Sequence, residues 1–240
     1  MGLLDGRTAL VTGASRGFGQ ALARAFAQEG ARVAVLARSP CTAPEGGLAI
    51  QADVGSQAEV ERAFEPIERE LGPVDILVNN AAILGPAEYV TDADAAAWAE
   101  TYRVNVHGTF LCTRRVLPRM IERRYGKIVN VSSGAALAPI AGYSAYSSSK
   151  AAVIHFGVCL AEEVRAHGIT VNTVGIWAHT RMWDDQMAAP MPAVNEAAQQ
   201  GWRPTVEENL GAVLFLASPA SDHVTGQYLA SNSLPSYARR

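Results

Sequence analysis

The chain has 240 residues, 49% of them hydrophobic and 18% charged, with a formal net charge of −3. That composition builds a substantial core, excludes a disordered chain, and argues against a general nucleic-acid or anionic-membrane surface. The three cysteines, Cys41, Cys112 and Cys159, are far apart, and the five histidines form no paired arrangement, so neither a disulfide framework nor a metal site is expected. No signal-peptide pattern opens the chain, and no apolar run approaches the ~20 residues needed to cross a bilayer. The expectation is a cytoplasmic protein formed as one α/β domain over residues 1–240.

Residues 7–12 (RTALVT) form a β-branched and aliphatic run, the first predicted strand. It leads directly into Gly13-Ala14-Ser15-Arg16-Gly17-Phe18-Gly19 and then into a helix whose Ala21, Leu22, Ala25 and Phe26 make one apolar stripe. Glycines between a strand and a helix let the backbone turn tightly and approach a ligand without a Cβ in the way. The helix N-terminus then offers unpaired N–H groups to a pyrophosphate. A plain glycine turn that only ends the strand is the competing reading, and the strand before it and amphipathic helix after it favour the phosphate loop.

Residues 31–36 are the second predicted strand. An acid often follows such a strand to bind the adenosine ribose; here Ala37 and Arg38 stand instead. A missing carboxylate and an added guanidinium, with Arg16 nearby in the glycine loop, favour a 2′-phosphate and hence NADP(H). Residues 39–47 hold two prolines and two glycines and predict a loop where a second helix would otherwise stand. A third strand is expected over 48–53, ending in Asp53-Val54. A helix follows over 57–71 with Val60, Phe64, Ile67 and Leu71 on one face, then a fourth strand over 75–79 running into Asn80, Ala81 and Ala82.

A long helix is predicted over 93–116 with Asn105 near its middle, an unfavourable place for asparagine unless its side chain faces solvent or has a task. Residues 127–131 are the fifth strand, with Ser132 and Ser133 at its C-terminal end. The helix over 145–164 places Tyr146 and Lys150 one turn apart on one face. An ammonium beside a phenol favours the phenolate, which makes Tyr146 a candidate proton donor and acceptor. The sixth strand is expected over 169–174. Residues 175–203 form a candidate substrate lid, rich in Trp and Met as far as 191; a helix over 207–217 and a last strand over 226–230 complete the chain.

These features together resemble the short-chain dehydrogenase/reductase family in its single-domain form, along residues 4–230. The markers are T-G-A-S-R-G-F-G at 12–19, D-V at 53–54, N-N-A-A at 79–82, Asn105, Ser133 and Y-S-S-S-K at 146–150. The resemblance implies a Rossmann-type, doubly wound parallel sheet with helices on both faces. It implies Tyr146 as general acid or base, Lys150 holding the nicotinamide ribose and lowering the tyrosine pKa, Ser133 on the substrate oxygen, and Asn105 holding a water of the proton relay. Cofactor contacts are implied at Gly13, Ser15, Arg16, Gly17, Phe18, Gly19, Arg38, Asp53, Val54, Asn80, Ala81 and, in the nicotinamide loop, Thr180. The chemistry is hydride transfer between NADP(H) and a carbonyl or alcohol carbon.

The chain departs from that pattern in three places. N-N-A-G reads N-N-A-A; the Pro-Gly after the sixth strand is replaced in Gly175-Ile176-Trp177, one residue shorter; and V-D-G-G reads Ser231-Asn232-Ser233-Leu234. Trp177 is expected beside the nicotinamide or turned out into the lid. An apolar, aromatic substrate pocket is expected from Ile83, Leu137, Tyr143, Trp177, Trp183 and Met187. The main reading is an NADPH-dependent ketoreductase, or the reverse alcohol dehydrogenase, acting on a fairly apolar small molecule in a homodimer or homotetramer. Non-redox use of the Ser-Tyr-Lys set as a dehydratase, epimerase or cyclase, and a scaffold holding NADP(H) structurally, are the alternatives.

Overall fold

The computed structural model describes residues 2–138, 140–178 and 205–231. Its strands are β1 (Thr8–Thr12), β2 (Arg32–Ala37), β3 (Leu48–Gln51), β4 (Ile76–Asn79), β5 (Gly126–Ser133), β6 (Ile169–Ile176) and β7 (Tyr228–Ala230). They form one parallel sheet in the order β3-β2-β1-β4-β5-β6-β7. Strand order reverses between β1 and β4, the place where an open α/β sheet leaves a crevice at its C-terminal edge.

Alternation along the strands divides the core in two. Leu10, Leu36, Leu77, Ile128 and Val171 face α2 (Gln57–Glu70), α4 (Gly108–Arg123) and α5 (Ser144–Val164). Their neighbours Ala9, Val11, Val35, Val78, Val129 and Val174 face α1 (Gly17–Gln28) and α6 (Leu210–Ala217). A central parallel sheet is covered on both sides, so its strands read as continuous apolar runs. β3, at the edge, alternates partly buried with exposed residues instead. Residues 39–47 form a loop without a helix, as the prolines and glycines there predict.

The predicted helix over 93–116 begins later, ends later and is interrupted. Asp94 caps α3 (Ala95–Tyr102) by accepting from the Ala96 and Ala97 amides. Residues Arg103–His107 then form a π-turn before α4 continues through Pro118 to Arg123. Pro118 and Arg114, whose carbonyl it leaves without a helical donor, are both exposed residues, and the helix continues through them. Arg124 ends it instead, in the left-handed conformation. Among the described residues no helix is long and apolar enough to cross a membrane, and no group of His, Cys, Asp and Glu is placed to hold a metal ion.

Candidate active site

A cleft of about 490 Å³ opens along the C-terminal edge of the sheet. At one end it is lined by Gly13, Ser15, Arg16, Gly17, Phe18 and Gly19. Two of these glycines are compelled by packing. A Cβ on Gly13 would stand 2.6 Å from the Ala81 Cα, and one on Gly19 would stand 2.4 Å from Asn80 Nδ2 and 2.6 Å from the Gly13 carbonyl. At Gly17 a Cβ would meet nothing within 4 Å, and it is the left-handed φ of +57°, which L side chains rarely adopt, that calls for glycine.

The N-terminus of α1 is left open. Arg16 at its N-cap makes no side-chain capping bond, and no acid stands in the first turn. α2, by contrast, is capped by Ser56 and carries Glu59 in its first turn. An uncapped helix start over a glycine cradle fits a pyrophosphate, so the residues present suit a dinucleotide. Asn80 holds this turn rather than only facing the cleft: its Nδ2 donates to the Thr12 and Gly13 carbonyls at 2.9 and 3.1 Å.

Beyond the cradle the cleft passes Ala37, Arg38 and Ser39 after β2, then Asp53 and Val54. Ala37 is buried and Arg38 exposed; among the described residues neither Arg16 nor Arg38 has an ion-pair partner. Asp53 is already engaged. Arg103 Nη2 donates to one oxygen at 2.7 Å and the Gly55 amide to the other at 2.8 Å. Burial acts to raise the Asp53 pKa, but these hydrogen bonds outweigh it and hold the carboxyl below its ordinary value.

Ser133, at the end of β5, and Tyr146, in the first turn of α5, both line the cleft. Burial raises the phenol pKa, and the Ser133 hydrogen bond only partly opposes this. Lys150 is 3% exposed, and its Nζ donates to the Val131 carbonyl at 2.8 Å, 5.8 Å from the Tyr146 ring centre. Burial lowers its pKa from 10.5 to about 8. The expectation that Lys150 depresses the phenol is therefore not met. The ammonium is directed at a backbone carbonyl, and desolvation governs both groups.

Asn105 does not face solvent. It is 1% exposed, accepts from the Ile83 amide at 2.8 Å, and donates to the Ile83 carbonyl at 2.9 Å and to Ser149 Oγ at 3.0 Å. The π-turn turns it inward, where it ties the segment after β4 to the helix that bears Tyr146. Ser149 in turn donates to the Tyr146 carbonyl at 2.7 Å.

The remaining wall is apolar: Ala82, Ile83, Leu84, Ala135, Ile140 and Ile176, closed by Trp177 and Ala178. Asn80, Ala81, Ile83, Ser133, Tyr146, Lys150 and Trp177 all line the cleft as expected from their positions. Leu137 and Tyr143 do not. Leu137 follows the 3₁₀ turn Gly134–Ala136, which aims it outward to 66% exposure. Tyr143, just before α5, turns into the protein and is 1% exposed. Thr180, Trp183, Met187 and most of the 175–203 segment lie outside the described residues, while Gly175 and Ile176 belong to β6. Ile140, Val104 and Leu84 line the cleft without having been legible as site residues; nothing in their spacing separates them from core positions.

A Rossmann-type sheet, a glycine cradle under an open helix N-terminus, and a serine and tyrosine lining the cleft beside a buried lysine mark a dinucleotide-dependent oxidoreductase site. The short chain dehydrogenase family model matches residues 7–191, and the chain belongs to that family. It is 35% identical over 241 residues to the 3-oxoacyl-[acyl-carrier-protein] reductase of Vibrio cholerae, covering 95% of this chain and 97% of that one. It is 39% identical over 210 residues to a short chain dehydrogenase of Pseudocercospora fijiensis, covering 82% of this chain but 66% of that longer protein. Among solved structures, the 3-ketoacyl-(acyl-carrier-protein) reductase of Brucella melitensis complexed with NADH superposes with a TM-score of 0.86 at 29% identity, covering 95% of this chain and 97% of that chain.

Proposed function

We propose that this oxidoreductase is an NADPH-dependent carbonyl reductase acting on a fairly apolar ketone. The observation that supports this reading is geometric: Ser133 and Tyr146 line the cleft beside the buried Lys150, where a phenol that holds its proton near neutral pH can donate it to a carbonyl oxygen. The apolar wall of the substrate end, with no charged side chain among its described residues, supports an uncharged substrate near the reacting carbon.

In this reading Ser133 and Tyr146 both hydrogen-bond the substrate oxygen, and Tyr146 delivers the proton. Lys150 is a buried cation beside the phenol and the cofactor cleft. The glycine cradle and the α1 N-terminus hold the pyrophosphate, and the bound nicotinamide supplies the hydride. Asn105 keeps the Ile83 wall and the Tyr146 helix at a fixed separation. Arg16 and Arg38, with Ala37 in place of an acid, favour a 2′-phosphate. The Brucella relative was complexed with NADH, so the cofactor has to be compared directly.

The test incubates the full chain with NADPH or NADH and with acetophenone, cyclohexanone or ethyl acetoacetate, following absorbance at 340 nm. The expected result is ketone-dependent oxidation of NADPH with much slower use of NADH. Equal rates with both cofactors overturn the cofactor assignment; ketone-independent behaviour with tight NADPH binding overturns the reductase.

A further inference from the structure

Ser231, directly after β7, and Asn209, directly before α6, form a buried polar pair that the chemistry above does not use. Asn209 is 0% exposed and Ser231 is 5% exposed. Asn209 Nδ2 donates to the Trp177 carbonyl at 3.3 Å and to the Thr205 carbonyl at 2.7 Å. Both partners can only accept, so the amide has one orientation, with Oδ1 turned the other way. Oδ1 accepts the Ser231 hydroxyl. The Ser231 amide donates to the Gly175 carbonyl at 3.0 Å, and that carbonyl lies 3.1 Å from the Ser231 hydroxyl, whose single proton it shares with Asn209 Oδ1. Gly175 and Trp177 are thus held on either side of Ile176.

Ile176 pairs with Ser133 in the sheet, so the next residue emerges beside the catalytic serine. There the Trp177 indole lies over Gly134, where a Cβ would stand 3.3 Å from its Cε3 and 3.7 Å from its Cζ3. The indole is part of the cleft wall, pinned by its own backbone and seated on the one residue after Ser133 that has no side chain.

Burying an amide and a hydroxyl is costly unless their bonds are made, and here they converge on the main chain of a cleft-lining tryptophan. We propose that Asn209 and Ser231 are positioning residues that fix the backbone at Gly175 and Trp177, so that the indole sets the width of the substrate chamber beside Ser133. They touch neither substrate nor cofactor and act through Trp177. The inference rests on the reductase reading for its catalytic consequence, but the placement of the indole is a property of the protein alone.

The experiment labels the full chain with 5-fluorotryptophan and assigns the Trp177 ¹⁹F resonance by its loss in Trp177→Phe. Asn209→Asp keeps the shape but turns a carboxylate oxygen toward two carbonyls. It is expected to shift or broaden the Trp177 resonance and leave that of Trp98, which is bonded to Ser144, in place. With whichever of the three ketones is turned over, KM should rise ~3-fold or more while NADPH affinity is unchanged. Asn209→Leu/Ser231→Val, which removes both polar groups together, keeps the test open if the aspartate variant does not fold. A folded variant with a lowered Tm but an unmoved Trp177 resonance makes the pair merely structural and overturns the proposal. If no ketone is reduced, the reductase reading fails while the resonance still decides the positioning role.

Discussion

Lys150 offers a perturbation whose size follows from the structure. Its ammonium is 3% exposed and its pKa falls from 10.5 to about 8 through burial. The sign follows from linkage. Between the folded and unfolded values the unfolded chain binds the extra proton, so stability rises with pH over about 8 to 10.5. Below pH 8 the buried charge opposes folding by its full amount, on the order of 3 kcal/mol at 1.36 kcal/mol per unit. Lys150→Met, of similar shape and uncharged, has no such dependence, although it loses the 2.8 Å bond to the Val131 carbonyl. That loss is a constant offset, so only the pH dependence of the difference is diagnostic. Urea unfolding of both proteins at about pH 6.5 and 9.5 should show wild type gaining roughly 2 kcal/mol on the variant across that range. A difference that stays flat would mean that the ammonium is not desolvated as its surroundings imply. Catalysis gives a second readout: kcat/KM for ketone reduction should fall along a one-proton limb near pH 8, and Lys150→Arg should move that limb upward.

Tyr146→Phe should lower kcat for ketone reduction by ~100-fold or more and leave NADPH affinity unchanged, since the ring stays and the proton donor goes; stopped-flow reduction and a cofactor titration check both. Arg38→Ala should weaken NADPH by about 10–100-fold, the worth of one charge-assisted contact, and spare NADH, as read by fluorescence titration. Asn105→Ala leaves both the Ile83 amide and carbonyl unpaired and should cost about 2 kcal/mol or more in urea unfolding. Ala151, Val158 and Cys159 of α5 and Phe110 and Ile121 of α4 are exposed, and a second copy of the chain covering them is expected; sedimentation at micromolar concentration should show a dimer or larger species rather than 25.4 kDa.

The glycine turn and its flanking elements were legible because each signal has one physical meaning. A β-branched run, closely spaced glycines and a 3.6-residue apolar stripe leave few other structures. The same holds for Ala37 and Arg38, whose place is set by the end of β2. The π-turn was not legible. It differs from α-helix by one hydrogen-bond step over Arg103–His107, and no residue there demands it. Only the awkwardness of an asparagine at position 105 marked the spot, and that fitted solvent as well as burial. Leu137 and Tyr143 fail for a related reason: proximity in sequence to Ser133 and Tyr146 says nothing of direction. A 3₁₀ turn and the left-handed Gly142, at φ +83°, decide where those two point.

The Tyr146–Lys150 pair shows most clearly what spacing leaves open. An i, i+4 relation sets two side chains on one helical face, and from that alone the ammonium should draw the phenol toward its ionised form. Burial reverses the expectation, because it disfavours charge on both groups at once, raising the phenol and lowering the amine. At pH 7 each still holds its proton, the lysine by about one unit. In the proposed reduction, a site that enters with both protons in place can give one to a carbonyl oxygen. Alcohol oxidation must first remove the phenol proton against the same desolvation. The kcat for ketone reduction should therefore hold as the pH falls below 8 while that for alcohol oxidation declines, with the ratio of the two kcat/KM values moving only as the chemical equilibrium requires.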